Sequence, residues 1–139
     1  MLAGEFKHTI DAKGRVFLPA KFRDDLGSNI LIVKGLDKCL VAYSEVEWKK
    51  FVTRLDALGE MQSKEIKRHL MKSSLPVELD SQGRISISQD LRDYAGIEKE
   101  ISFLGMDSYV EIWNGGELVK ETDSYDVDTM KDMLKKAGF

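Results

Sequence analysis

Apolar and polar residues alternate at the start of the chain. Phe6, His8 and Ile10 fall on one side of an extended segment, and Lys7, Thr9 and Asp11 on the other. This is the period of a strand with one buried face. Asp11-Ala12-Lys13-Gly14 then predicts a tight turn: the aspartate accepts backbone hydrogen bonds at the first position, and glycine takes the positive φ that closes a three-residue hairpin with a bulge. Val16-Phe17-Leu18 is expected to return as the partner strand. Pro19 opens a short helix at its favoured first position, and Gly27 ends it in the left-handed position after the last turn. Two strands are predicted over Asn29–Lys34 and Leu40–Tyr43. A helix over about Glu45–Leu58 follows, with a capping box Ser44-x-x-Glu47 and Val46, Val52, Leu55 and Leu58 on an apolar stripe. Gly59 interrupts it, and a second helical segment runs over Ser63–Lys72.

The pattern then repeats. Asp11-Ala12-Lys13-Gly14-Arg15-Val16 recurs as Asp80-Ser81-Gln82-Gly83-Arg84-Ile85, an offset of 69 residues. Ile10 matches Leu79, Leu18 matches Ile87, Phe22 matches Leu91, Gly27 matches Gly96 and Ile32 matches Ile101. One extra residue near Glu98-Lys99-Glu100 shifts the offset to 70, so that Gly35 meets Gly105 and Leu40–Ser44 meets Val110–Asn114. In the second copy Ser88 replaces Pro19 as an N-cap, strands are expected over Glu100–Leu104 and Tyr109–Trp113, and Asn114-x-x-Glu117 offers a second capping box. Asp126–Lys136 sets Val127, Met130, Met133 and Leu134 on one face of a final amphipathic helix. A strand-rich unit of roughly 45 residues is too small to close a core alone. The two copies are therefore expected to pack on each other as a pseudo-twofold β-structure with helices outside it, an α+β, β-rich fold. The expected boundaries are 5–47 and 75–118 for the copies, 48–74 for a helical connector and 119–139 for a C-terminal helical segment.

Composition narrows the function classes. Of 139 residues 42% are hydrophobic and 32% charged, which excludes a disordered chain. The longest aliphatic run, Ile30–Val33, is far short of a membrane span. The first residues lack the basic and apolar regions of an export signal, so a reducing cytoplasm is the expected address. A single cysteine, Cys39, and two histidines, His8 and His69, are a poor inventory for a metal site; no metal or cofactor is expected. The net charge of −3 hides a split: residues 1–74 carry 14 Lys/Arg against 10 Asp/Glu, and residues 75–139 carry 7 against 14. Such a polarised surface suits a polyanion on one side or head-to-tail packing of subunits.

No catalytic signature is present: there is no nucleophile elbow, phosphate-binding glycine loop or dinucleotide fingerprint. Cys39 lies in an apolar strand and reads as a small buried hydrophobe, and His8 as a packed or interfacial side chain. Asp11 and Asp80 could form a carboxylate pair across the pseudo-dyad, but each stands where a turn needs an aspartate. The Asp-x-x-Gly-Arg turns are the candidate binding elements. Arg15 and Arg84 either neutralise Asp11 and Asp80 within their own turns or present planar five-donor forks to phosphate or guanine; an aspartate can also orient the arginine that makes the contact. Copy one adds Lys13 at the tip and Lys7, Lys21 and Arg23 nearby. Copy two has Gln82 for Lys13, Pro76 for Lys7 and Asp90 for Lys21, so the first tip should dominate. Gly14 and Gly83, with the two aspartates, are the turn-forming residues. Lys64, Lys67, Arg68 and Lys72 are interleaved with Glu60 and Glu65 and read as a solvated helix face, and the acidic run Glu117–Asp128 reads as surface.

The paired motifs Asp11…Arg15 and Asp80…Arg84, set in Phe6–Arg23 with the Leu18-Pro19 helix start and with Gly35 and Gly105, make the chain resemble the bacterial MraZ family over essentially its whole length. The resemblance implies two SpoVT/AbrB-type swapped-hairpin elements closing one β-barrel within the chain, and rings of several subunits. It implies a DNA-binding transcriptional regulator acting at short direct repeats upstream of its own division and cell-wall operon, on the nucleoid. It also places DNA contacts at Lys13 and Arg15, with Arg84 the matching candidate in copy two. The partners implied are double-stranded DNA and further copies of the chain. Two rival readings are a non-enzymatic oligomeric assembly module indifferent to DNA and a small-molecule enzyme centred on Asp11 and Asp80.

Overall fold

The computed structural model describes residues 1–139. Eight strands and six α-helices follow in the order β1 (Leu2–Thr9), β2 (Arg15–Phe17), α1 (Ala20–Leu26), β3 (Ile30–Lys34), β4 (Leu40–Ser44), α2 (Glu45–Leu55), α3 (Glu60–Lys72), β5 (Leu75–Val77), β6 (Arg84–Ser86), α4 (Gln89–Ala95), β7 (Glu100–Asp107), β8 (Val110–Asn114), α5 (Glu117–Asp123) and α6 (Val127–Lys136). Six strands form one antiparallel sheet in the order β1-β7-β8-β4-β3-β5, and β2 and β6 form a separate two-stranded ribbon. No helix is long and apolar enough to cross a membrane.

Two expectations about pairing are corrected. The turn after Ile10 forms as expected, with Asp11 N–H donating to the Arg15 carbonyl and Gly14 N–H to the Asp11 carbonyl. The strands on either side do not continue as a hairpin: β1 pairs over its whole length with β7, and β2 pairs with β6. Strand periodicity fixes which face is buried, while the choice of partner is a long-range matter that apolar alternation does not encode. The expected barrel is also not formed. The large sheet is open, with β1 and β5 as its edges. The β5 edge is three residues long, and Pro76 in its middle has no N–H to offer a further strand.

The sheet is covered on both faces. One face packs Ile32, Leu40, Ala42, Ile101, Phe103, Val110 and Ile112 under Val16 and Ile85 of the ribbon, Phe22 and Leu26 of α1, and Leu91 and Ala95 of α4. The other packs Val33, Val41, Tyr43 and Trp113 under Leu70 of α3 and Leu118 of α5, with Trp48, Phe51 and Ile66 beside them. Burial on both faces explains the unbroken apolar run Leu40–Tyr43. The helix signals act largely as read. Ser44 Oγ accepts from Glu47 N–H at 3.2 Å and Ser88 Oγ from Leu91 N–H at 3.4 Å, and Gly96 takes the left-handed conformation. Asn114 differs: its Oδ1 accepts from Glu98 N–H across the sheet end, and Gly116 precedes α5. Helix α6 forms where its period predicts but buries none of its residues.

The ribbon pairs the two segments related by the 69-residue offset antiparallel, centred on Val16 and Ile85. Arg15 faces Ser86, Val16 faces Ile85 and Phe17 faces Arg84. Beyond the ladder, Leu18 N–H donates to the Gly83 carbonyl at 3.1 Å and Ile87 N–H to the Gly14 carbonyl at 2.8 Å. Gly14 and Gly83 both sit at positive φ, +84° and +82°. A Cβ on Gly14 would lie 2.6 Å from the Ile87 carbonyl oxygen, whereas one on Gly83 would meet the movable guanidinium of Arg23 at 2.6 Å. Alanine at either position therefore incurs left-handed strain, about 1–3 kcal/mol, and only at Gly14 does backbone also have to shift. Urea unfolding is expected to place Gly14→Ala below Gly83→Ala in stability, with both below the parent chain. Equal midpoints for both variants and the parent would contradict this account of the turns.

Candidate functional site

The ribbon projects two arginines from a rigid base. Val16 and Ile85, at the centre of its two strands, are each 1% exposed and plug the core. Strand alternation then turns Arg15 and Phe17 of β2, with Arg84 and Ser86 of β6, to the opposite face. Each arginine is held by the aspartate that opens its own turn. Asp11 Oδ1 accepts from the backbone N–H of Lys13 and of Arg15, both at 2.9 Å, and Asp11 Oδ2 accepts from Arg15 Nε at 2.7 Å. In the second turn Asp80 Oδ1 accepts from Gln82 and Arg84 N–H at 2.9 Å, and Asp80 Oδ2 from Arg84 Nε at 2.8 Å. Only Nε is used in each case, so the terminal amino groups of both forks keep their donors for an external acceptor. Each carboxylate thus pairs with the arginine of its own turn and at the same time orients that arginine's fork.

The remaining candidates fall in three places. Lys13 is exposed at the tip of the first turn and belongs with Arg15 and Arg84. Arg23 stands at the root of the ribbon: its Nε donates to the Leu18 carbonyl at 3.0 Å and its guanidinium lies over Gly83. Arg92 does the same for the other turn, donating to the Ile87 carbonyl at 3.0 Å and lying against Gly14. These two arginines brace the ribbon. Lys21 lies on α1 with its Nζ 5.7 Å from the centroid of Phe6, and Lys7 lies on β1 opposite Ser102; neither is on the ribbon. Phe17, 44% exposed, is the residue that sequence reading missed as a surface feature. Its signal was its place between Val16 and Leu18, whose burial forces it outward.

The other titratable candidates have structural surroundings. Burial, reinforced by the negative charges of Glu111 and Asp37, pushes the Cys39 thiol up to about 12, so it stays protonated and packs as a hydrophobe. His8 sets its ring edge-on to Phe103, centroids 6.0 Å apart. Asp11 and Asp80 are both held below the usual carboxylate range, first by the backbone N–H of Arg15 and Arg84 and then by those side chains. A general acid needs the opposite shift. The arrangement therefore presents fixed cations, and its carboxylates serve to orient them.

A protein-family model described as "MraZ protein" matches residues 1–69 and 71–118. The chain is 41% identical over 140 residues to a protein named transcriptional regulator MraZ from Lachnoclostridium phytofermentans, covering 99% of this chain and 98% of that relative. It is 40% identical to the protein of that name from Caldicellulosiruptor bescii, covering 99% of each chain. It is 45% identical over 116 residues to that from Thermoanaerobacter sp. strain X514, covering 82% of this chain and 81% of the relative.

Because Asp11 and Asp80 have folded-state pKa values below their unfolded ones, the stabilisation they supply is fully present above the unfolded value of about 4 and is lost as pH falls through the folded values. Carbon-detected NMR titration is expected to show both carboxyls titrating below the ordinary carboxylate range. Asp11→Asn should remove the first of these transitions and leave that of Asp80 in place. Ordinary titration of both groups near pH 4 would contradict the clamp.

Proposed function

As the chain belongs to the MraZ family, we propose that it is a DNA-binding transcriptional regulator that reads duplex DNA with the β2–β6 ribbon. The observation that carries this reading is the pair of aspartate-aimed arginine forks on the outward face of one antiparallel ribbon. A two-stranded ribbon fits the major groove, where an arginine fork matches guanine O6 and N7. Lys13 adds a phosphate contact at the leading tip, Arg15 and Arg84 read bases or phosphates, and Arg23 shapes the surface from below. Lys7 and Lys21 extend the positive field behind the tip. No chemical transformation is part of this activity.

In this reading residues 5–47 and 75–118 are the two SpoVT/AbrB-like repeats, joined by the connector 48–74 and followed by the tail 119–139. Its support is that elements related by the offset pair with one another: β2 with β6, and β4 with β8, where Val41 faces Glu111. The protein acts in the cytoplasm on the nucleoid, at short direct repeats upstream of its own division and cell-wall operon. It does so as a homo-oligomer, in a ring that sets several tips along one duplex so that weak contacts multiply. The exposed apolar stripe Val127, Met130, Met133 and Leu134 on α6 supports self-association.

The test is fluorescence anisotropy on a duplex carrying the DNA upstream of its coding sequence, against a scrambled duplex of equal composition. The native duplex should bind at least about tenfold tighter, and Arg15→Ala should remove most of that preference while a cooperative thermal melt shows that the variant is folded. Affinity should fall with salt at a log–log slope of about −0.9 per phosphate neutralised. Lys13→Ala should weaken both duplexes and lower the slope by about one. A folded, oligomeric protein that binds neither duplex would overturn the proposal in favour of an assembly module.

A further inference from the structure

We infer that Phe17 gives the ribbon its polarity on DNA, by packing on the 5-methyl group of a thymine beside a base read by an arginine. This rests on the reading of the ribbon as the DNA-contacting element. The outward face of the ribbon holds four side chains in two cross-strand pairs, Arg15 opposite Ser86 and Phe17 opposite Arg84. Under the 69-residue offset Arg15 corresponds to Arg84 and Phe17 to Ser86. The arginines are thus the same in both halves, and the position beside them differs.

Arg15 and Arg84 are clamped in the same way, each through Nε on the aspartate of its own turn, so the clamps themselves do not set a direction on a duplex. Lys13 against Gln82 distinguishes the directions at the tips, and Phe17 against Ser86 distinguishes them on the outward face. Phe17 is not one of the residues that seat the ribbon on the core: it is 44% exposed while Val16 and Leu18 on either side are 1% exposed. An aromatic ring between two arginines in a major groove has one apolar partner, the thymine methyl. The serine in the matching place can only exchange hydrogen bonds, which many base edges accept. A target recognised this way is asymmetric and has a thymine at a fixed place relative to a guanine.

The test uses the full-length protein to select duplexes from a random pool, then remakes the enriched duplexes with dUTP in place of dTTP. That replacement deletes every 5-methyl group and leaves base pairing intact. The wild-type protein should lose about fourfold in affinity for the uracil form for each ribbon engaged, the worth of one buried methyl group. Phe17→Ser should bind both forms alike, and Phe17→Leu, which keeps an apolar side chain, should retain the thymine preference; thermal melts establish that each variant is folded. A wild-type protein indifferent to uracil, or a Phe17→Ser variant that keeps the full thymine preference, overturns the assignment of Phe17 while the ribbon reading stands. A Phe17→Ser variant that dissociates into smaller species with its thymine preference unchanged overturns it too, and places the ring between copies of the chain. A wild-type protein that enriches no duplex overturns the ribbon reading itself.

Discussion

Two hydrogen bonds outside any strand ladder hold the exposed part of this molecule together. Leu18 N–H reaches the carbonyl of Gly83, and Ile87 N–H reaches the carbonyl of Gly14. Each tight turn is thereby completed by the segment that follows the other one. The approach is close enough that only glycine fits: the Ile87 carbonyl occupies the space where a Cβ on Gly14 would stand. Arg23 and Arg92 lock the crossing from each side, each with Nε on the carbonyl of the residue that follows its own ribbon strand and its guanidinium against the opposite glycine. Neither turn has this geometry alone, so the two tips form as one rigid unit.

Everything proposed for the surface follows from that rigidity. Val16 and Ile85 seat the ribbon on the sheet core, which leaves the alternate residues no direction but outward. The aspartates take only the Nε of Arg15 and Arg84, so the terminal amino groups are aimed without being consumed. An arginine held this way has already lost most of its rotamer freedom before it meets a ligand, and that reduces the entropy lost on binding. The net-negative chain is no obstacle, because charge matters locally at the scale of a screening length of about 8–10 Å.

Local features were legible in the sequence because their causes are local. The two Asp-x-x-Gly turns, the Ser44 and Ser88 caps, the break at Gly59 and the amphipathic α6 all rest on residues within one or two turns of each other. The pairing of β2 with β6 was not legible as a consequence of the pattern: Val16-Phe17-Leu18 would alternate identically against β1, and the choice was made by residues about 69 positions away. The open sheet has the same origin, since the edges are decided by where β2 and β6 go. Asn114 looked like a cap by spacing, but the Glu98 N–H across the sheet end competes for its side chain. At the site, the motif arginines Arg15 and Arg84 stand where the turns predict. Arg23 could not be separated from the tip residues by charge, because its role as a brace depends on Gly83 of the other half. Phe17 was hidden because an aromatic residue in a strand reads as core.

The central claim is that the terminal amino groups of Arg15 and Arg84 are the contact with DNA. The most direct measurement is arginine side-chain NMR, following the guanidinium resonances of each arginine as a binding duplex is added. The account predicts that the Nη resonances of Arg15 and Arg84 shift and slow in rotation together, while those of Arg54 and Arg68 on the helices stay in place. Unchanged resonances for Arg15 and Arg84 under saturating duplex, with shifts confined to the helices, would contradict it.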